Sequence, residues 1–270
     1  MRTSGVNPLL DVDARLVIGH RGAPALAPES TLASFTLALE GGADALELDV
    51  RATADGVPVV MHDATVERTT DGAGALAAMT LAELRRLDAG AHHARPALGT
   101  SDARDDPWRG RGLVAPTLDE VLAAFPETPI VVEIKTADAA AAARAVLEHH
   151  AAAGRCVVAS FDVAALAPFR GGPFALGATR RDAVRLLATT LAGARPTSAG
   201  YATLCTPYRW RGARLPVAGF ARALRSIGRT VHVWTVDEPA IALAFWRAGV
   251  QGIITNDPAT MVRAREELGG

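Results

Sequence analysis

The chain has 270 residues, 49% of them hydrophobic, with 28 Lys plus Arg against 29 Asp plus Glu and a formal charge of −1. This much apolar sequence fills one large core or two small ones, and the balanced charge excludes a chain drawn as a whole onto nucleic acid or anionic membrane. Cys156 and Cys205 lie in apolar runs outside any metal spacing, the N-terminus lacks a signal-peptide core, and no run approaches roughly 20 apolar residues; the expectation is a cytoplasmic protein with free buried thiols and no stable membrane association.

Residues 1–14 read as a loose leader. The first apolar run, LVIGH at 16–20, passes straight into Arg21 and Gly22. Residues 30–40 have helical spacing through Leu32, Phe35, Leu37 and Leu39. Glu29, Ser30 and Thr31 supply capping chemistry at its start, and Gly41-Gly42 ends it. A second strand over 43–50 carries Glu47 and Asp49, two apart and therefore on one face. Asp55-Gly56 then suits a two-residue hairpin turn, whose central positions need positive φ. With that turn Ala54 faces Val57 and Asp49 lies opposite His62, so one hairpin gathers two carboxylates and an imidazole. The alternative is a solvated hairpin whose charges meet by chance.

Residues 64–116 break the rhythm. The stretch 65–74 is turn-rich, 80–87 is a short amphipathic helix, and 92–112 has no periodicity. Alternation then resumes, with strands expected at 129–135, 156–161, 174–179, 201–205, 230–236 and 252–255. Helices are expected at 117–125, 138–152, 162–169, 181–191, 220–227, 239–248 and 259–267. Counting 16–20 and the second strand, eight strands are each followed by a helix. Short apolar runs suit parallel strands covered on both faces, and eight such units predict a (β/α)8 TIM barrel. An open doubly wound sheet competes, but no G-x-G-x-x-G follows a strand. The return strand belongs to an insertion at about 51–116 after the second barrel strand, within a single domain over 1–270.

The carboxyl ends of barrel strands carry the active site in this fold. Here they end in His20-Arg21, in Glu47 and Asp49, in Glu133 and Lys135, and in Ser160-Phe161, with Trp234 on the seventh. Three carboxylates on adjacent strands suit one hard divalent cation, Mg²⁺ or Ca²⁺; the bland reading is that Glu133 merely pairs with Lys135. Two flanking histidines, His20 and His62, can divide the work of general acid and base. Arg21 and Lys135 beside the carboxylates call for an anionic, phosphate-bearing substrate. Trp234 either walls the pocket or fills the barrel top. His92 and His93 read as surface residues, His149 and His150 as a helix end, and His232 as structural.

In the segments IGHRGAPALAPESTLASF, GADALELDVRATADGVPVVMHDATVERTTDGAG, PTLDEVL, VVEIK, HVWTV and GVQGIITNDP, the chain resembles the glycerophosphodiester phosphodiesterase family. The resemblance spans residues 16–258 and implies a (β/α)8 barrel with a small insertion after the second strand. It implies cation-dependent hydrolysis of glycerophosphodiesters to sn-glycerol 3-phosphate and an alcohol, with a small-molecule substrate and no nucleic-acid partner; the alternatives are a lysophospholipase D-type phosphodiesterase and a non-enzymatic barrel that binds phosphorylated ligands. By the same resemblance His20 and His62 are catalytic, and Glu47, Asp49 and Glu133 hold the metal. Arg21 and Lys135 bind phosphate, and Trp234 with Phe161 walls the glycerol end. The family's attack by the glycerol 2-hydroxyl, through a cyclic phosphate, is one route; attack by water is the other. One departure is visible: Ser30 stands where the family motif has asparagine.

Overall fold

The structure, a computed structural model, describes residues 7–93, 107–194, 196 and 200–268. Its described strands are β1 (Leu16–His20), β2 (Ala45–Ala52), β3 (Pro58–Val60), β4 (Ile130–Ile134), β5 (Cys156–Ala159) and β6 (Ala175–Leu176). They continue with β7 (Thr203–Pro207), β8 (Arg209–Trp210), β9 (Ala213–Arg214), β10 (Thr230–Trp234) and β11 (Gly252–Thr255). The helices are α1 (Leu32–Glu40), α2 (Leu81–Leu84), α3 (Leu118–Ala124), α4 (Ala137–His149), α5 (Arg180–Leu191), α6 (Val217–Arg225), α7 (Pro239–Arg247) and α8 (Pro258–Glu266).

Eight strands pair in parallel in the order β6-β5-β4-β2-β1-β11-β10-β7. The circuit closes through a parallel bridge between Gly177 and Thr203, where Ala178 N–H reaches the Thr203 carbonyl at 2.8 Å. The chain is thus a (β/α)8 barrel, with β3 antiparallel to β2 as an added strand. Residues pointing inward stack in layers: Leu16, Ile18, Val131, Val157 and Ile254 pack on one another inside the barrel. Leu9 closes that interior from below, fully buried, and Thr230 Oγ1 donates to its carbonyl. Asn7 Nδ2 donates to the Cys156 carbonyl. Residues 7–10 are therefore a plug and not part of the loose leader expected over 1–14. Truncating a fully buried leucine such as Leu9 costs about 2–5 kcal/mol.

Two apolar layers separate strands from helices, one around Phe35, Leu46, Leu118 and Leu147, the other around Phe220, Leu224, Val231 and Trp246. The insertion buries its own small core of Val59, Met61, Val66, Leu76 and Leu84. Capping boxes start α2, α3 and α5 at Thr80, Thr117 and Thr179. Of the unpatterned stretch 92–112, residues 94–106 lie outside the described residues.

Three local expectations change. Residues 162–169 form only a 3₁₀ turn over Ala167–Phe169. Pro168 removes an N–H and restricts the residue before it, and the Asp162 carboxylate accepts from the Ala164 N–H at 2.9 Å. Between β7 and α6 an unforeseen hairpin, β8–β9, turns through Arg211 and Gly212, both at positive φ. The β2–β3 register is one residue off the expected one: Val50 pairs with Val60, and Asp49 O accepts from Met61 N–H at 3.0 Å. The turn holds three residues, closed by Thr53 N–H to Val57 O at 3.1 Å with Gly56 at φ 77°. Asp49 therefore faces Met61 and not His62.

Candidate active site

The register sets the carboxylates level with one another. His20 pairs with Glu47 across β1–β2, and Asp49 with Glu133 across β2–β4. Ligand oxygens of Glu47, Asp49 and Glu133 lie within 4.8 Å of one another. His20, Arg21, Glu47, Asp49, His62, Glu133, Lys135, Phe161 and Trp234 all line one open cavity of about 510 Å³. All nine residues singled out in the sequence thus meet in one place. His62 arrives although its register shifts, because β3 ends at Val60 and the chain leaves the ladder. Arg51 Nε then anchors the His62 carbonyl at 2.8 Å. Cys205 also borders the cavity, so it is less enclosed than Cys156; both thiols are free.

The charges interlock. Asp49 meets Lys135 Nζ at 3.1 Å and Arg21 Nε at 3.0 Å, and Lys135 also bonds Glu133 at 2.8 Å. Burial and the neighbouring charges of Asp49 and Glu133 push the Glu47 carboxyl well above its ordinary range. Burial and Asp49 likewise raise Glu133. Burial works against the Lys135 ammonium, but Asp49 and Glu133 outweigh it, so its pKa rises. Asp49 Oδ2 is buried and accepts no aligned hydrogen bond even from the nearby Arg21 Nε. An all-oxygen donor set, mutually repelling and with a buried oxygen left unbonded, fits a hard divalent cation. A second grouping, Asp119, His149 and His150, lies on the outer surface, where His150 Nε2 already sits 2.8 Å from Asp119.

The two imidazoles are held differently. Asp237 accepts from the Asn256 amide nitrogen at 2.8 Å, which leaves Asn256 Oδ1 to accept from His20 Nδ1, also at 2.8 Å. That network puts the His20 proton on Nδ1 and the Nε2 lone pair free. Burial and the Arg21 charge lower the His20 pKa, which keeps the ring neutral. His62 Nδ1 instead lies 2.6 Å from Asp63 Oδ1. Asp63 Oδ2 pairs with Arg68 Nε, and Arg68 grips Glu29 through both terminal nitrogens at 2.7 and 2.8 Å. Glu29 in turn accepts from Arg21 at 3.0 Å. A continuous chain of ion pairs therefore joins Arg21 to His62. Burial alone would raise the Glu29 carboxyl; bonds from Arg68 and the Arg21 charge hold it at about 2. Asp63 is held at about 2, against burial, by Arg68 and His62.

Sequence reasoning missed Asp63, Arg68, Asn256 and Asp237, and assigned Glu29 only to capping. Asp63 adjoins His62 and Arg68 lies only five residues beyond Asp63, signals that were available; the reach of Arg68 to Glu29 across 39 residues, and the relay from Asp237 through Asn256 to His20, left none. The cap of α1 is Thr31, whose side chain accepts from Ser34 N–H, and not Ser30. Ser30 adopts φ 59° with its hydroxyl buried and unbonded beside a small cleft that also touches His62. Arg21 is left-handed as well, at φ 54°. Gly22 follows at φ 96°, where a Cβ would lie 2.6 Å from the Ser34 carbonyl carbon.

A closed barrel whose rim gathers three carboxylates, two imidazoles and two cations defines a class: a TIM-barrel protein with a cation-and-anion site at its carboxyl face. The chain belongs to the glycerophosphoryl diester phosphodiesterase family, whose model matches residues 20–260. It is 30% identical over 264 residues to a glycerophosphodiester phosphodiesterase of Bacillus subtilis, covering 93% of this chain and 86% of that one. A Caldanaerobacter subterraneus glycerophosphodiester phosphodiesterase is 55% identical over 75 residues, 28% of this chain and 31% of that protein. In such short, higher-identity matches the chain spans 23–31% of the curated relatives' length. An Oleispira antarctica phosphodiesterase in complex with the product sn-glycerol-3-phosphate superposes with a TM-score of 0.75 at 25% identity, over 94% of this chain and 97% of that one.

Proposed function

We propose that the protein is a glycerophosphodiester phosphodiesterase, hydrolysing small glycerophosphodiesters to sn-glycerol 3-phosphate and an alcohol. One observation carries the reading: nine side chains of complementary chemistry line one cavity at the carboxyl end of the barrel. The product bound by the Oleispira relative supports it. In this reading His20 and His62 are catalytic, Glu47, Asp49 and Glu133 hold the metal, and Arg21 and Lys135 bind phosphate. Phe161 and Trp234, ring centroids 6.3 Å apart, wall the glycerol end.

His20 Nε2 takes the proton from the attacking hydroxyl, its lone pair being free by the Asn256 relay. His62 protonates the departing alcohol, and the Asp63 carboxylate stabilises its protonated ring. Arg21 and Lys135 neutralise the non-bridging phosphate oxygens. A Mg²⁺ or Ca²⁺ ion held by Glu47, Asp49 and Glu133 supplies further charge neutralisation at phosphate when bound. The glycerol 2-hydroxyl is the attacking group, giving a cyclic phosphate as the alcohol departs; water then opens that ring to sn-glycerol 3-phosphate, so no protein nucleophile is needed. Small soluble headgroups such as choline or ethanolamine are the preferred alcohols, with no nucleic-acid partner and no stable membrane association. Residues 1–270, with the insertion at about 51–116, act as one catalytic domain. Two free thiols suit a cytoplasmic location, and among the described residues no helix is long and apolar enough to cross a membrane.

A panel of choline, ethanolamine, glycerol and acyl-bearing diesters tests the activity; no turnover on any, with several metals, rejects it. A diester with a nitrophenol leaving group separates the histidines, since it largely rescues His62→Ala and not His20→Ala. The opposite pattern reverses the roles. Normal turnover of a diester lacking the glycerol 2-hydroxyl replaces the cyclic route with attack by water.

A further inference from the structure

The formal charge of −1 conceals a strong segregation. Residues 183–236 contain eight arginines, no lysine and no carboxylate, leaving 20 of the 28 basic residues to face all 29 acidic ones elsewhere. The β8–β9 hairpin is the exposed tip of this stretch. Arg209, Trp210, Arg211 and Arg214 are all exposed, and Trp210 stands 47% open to solvent. Arg209 and Arg214 are register partners, so two like charges face each other directly, which is destabilising in an isolated hairpin. The turn adds a left-handed arginine, Arg211 at φ 49°. Across the barrel closure, Arg180 at the start of α5 reaches over the Trp210 ring at 5.6 Å, and Arg181 beside it is also exposed. Among the described residues none of these five guanidiniums pairs with a carboxylate.

The position of the hairpin matters as much as its charge. It leaves β7 at Pro207, the register partner of Trp234 in the cavity wall. β5, β6 and β7 are successive staves, so Phe161 and Val163, 47% and 45% exposed, share one arc of the rim with the arginines. An indole covered by one guanidinium, on an arginine-bearing hairpin that shares its rim with exposed apolar side chains, matches the chemistry of a lipid headgroup layer, with anionic phosphate for the arginines and an interface for the ring. A nucleic acid would satisfy the arginines but leave Phe161 and Val163 without a partner.

We propose that the β8–β9 hairpin, with Arg180 and Arg181, docks the mouth of the barrel reversibly onto the anionic phospholipid surface of a membrane. The contact is peripheral and electrostatic, so it is weak at high salt and distinct from a stable membrane anchor. The docking rests on the surface alone. Its use, presenting the cavity to glycerophosphodiesters at a lipid surface, rests on the function proposed above.

Sedimentation of the whole chain with phosphatidylglycerol-containing vesicles tests the proposal without any turnover. Binding is expected to those vesicles, not to pure phosphatidylcholine, and to vanish at high salt. Each arginine lost lowers partitioning about five-fold, so Arg209→Ala/Arg211→Ala/Arg214→Ala lowers it about a hundred-fold. The matching Arg→Lys triple retains most of it, and Trp210→Ser weakens it with the charge intact. Thermal melts of each variant certify folding, and unchanged turnover of a soluble diester shows that the catalytic centre is untouched. Equal binding to neutral vesicles, no binding at low salt, or full binding by the folded alanine triple overturns the proposal. Tighter binding to single-stranded oligonucleotide than to anionic vesicles also overturns it.

Discussion

Asp63→Ala removes the carboxylate that holds His62 Nδ1 at 2.6 Å while leaving every residue that lines the cavity in place. Charge-assisted hydrogen bonds contribute about 1.5–3 kcal/mol. The Asp63 side chain is 29% exposed, so water replaces part of the lost interaction and the lower end, about 1.5–2 kcal/mol, applies. If His62 is the general acid, that loss falls in the transition state, and kcat drops about 10–30-fold. KM stays near its original value, because Asp63 touches neither the carboxylates nor the phosphate cations. Arg68 keeps its two bonds to Glu29, so the fold survives. Asp63→Asn retains an acceptor for Nδ1 and loses only charge, and it falls between the two. Steady-state kinetics on an alkyl diester and on its nitrophenyl analogue provide the assay. The deficit of Asp63→Ala shrinks on the nitrophenyl substrate, which needs no acid. A raised KM with unchanged kcat, or an equal deficit on both substrates, would refute the relay from Asp63 through His62.

Three further outcomes are expected. Glu47→Gln removes a charge that burial and two carboxylates disfavour, so calorimetry shows weaker Mg²⁺ or Ca²⁺ binding while the melting temperature in EDTA rises; a fall in that temperature contradicts the site electrostatics. Ser30→Asn places a residue tolerant of left-handed φ beside a small cavity and stabilises by about 1 kcal/mol, a rise in Tm of about 2–3 °C, whereas a lower Tm shows that the serine is the better fit. Burial holds the His232 imidazole down to about 4, from an ordinary 6.5. Above pH 6.5 the ring is neutral folded and unfolded and contributes nothing. As pH falls through 6.5 the unfolded chain alone takes up the proton, so stability is lost down to about pH 4, by about 3 kcal/mol in all. Denaturant titrations across that window detect the loss, and His232→Gln flattens it; an unchanged slope in the variant assigns the acid sensitivity elsewhere.

The barrel and the meeting of nine side chains at its candidate site were legible in the sequence because both rest on short-range regularities. Period and run length mark strands buried on two faces, and each run ends in the polar residue that its carboxyl end presents. Spacing of two in Glu47 and Asp49, and again in Glu133 and Lys135, puts each pair on one face whatever surrounds it. Local sequence was a poor guide wherever a neighbour or a distant partner decides the outcome. Asp55-Gly56 permits a two-residue turn, yet the loop takes three because Thr53 closes on Val57, and a slip of one residue exchanges the faces of a strand. His62 therefore draws its carboxylate from Asp63 and, through Arg68, from Glu29, which is 39 residues away along the chain. Asn256 fixes the tautomer of His20 across 236 residues by closure of the barrel between β11 and β1. Residues 7–10 are too short to show a strand or helix period and so look loose, but the open lower end of the barrel needs a plug, and Leu9 supplies it. Periodicity determines which residues face inward, and only the closed sheet determines which of them meet, since hydrogen-bond relays depend on distances that no linear spacing encodes.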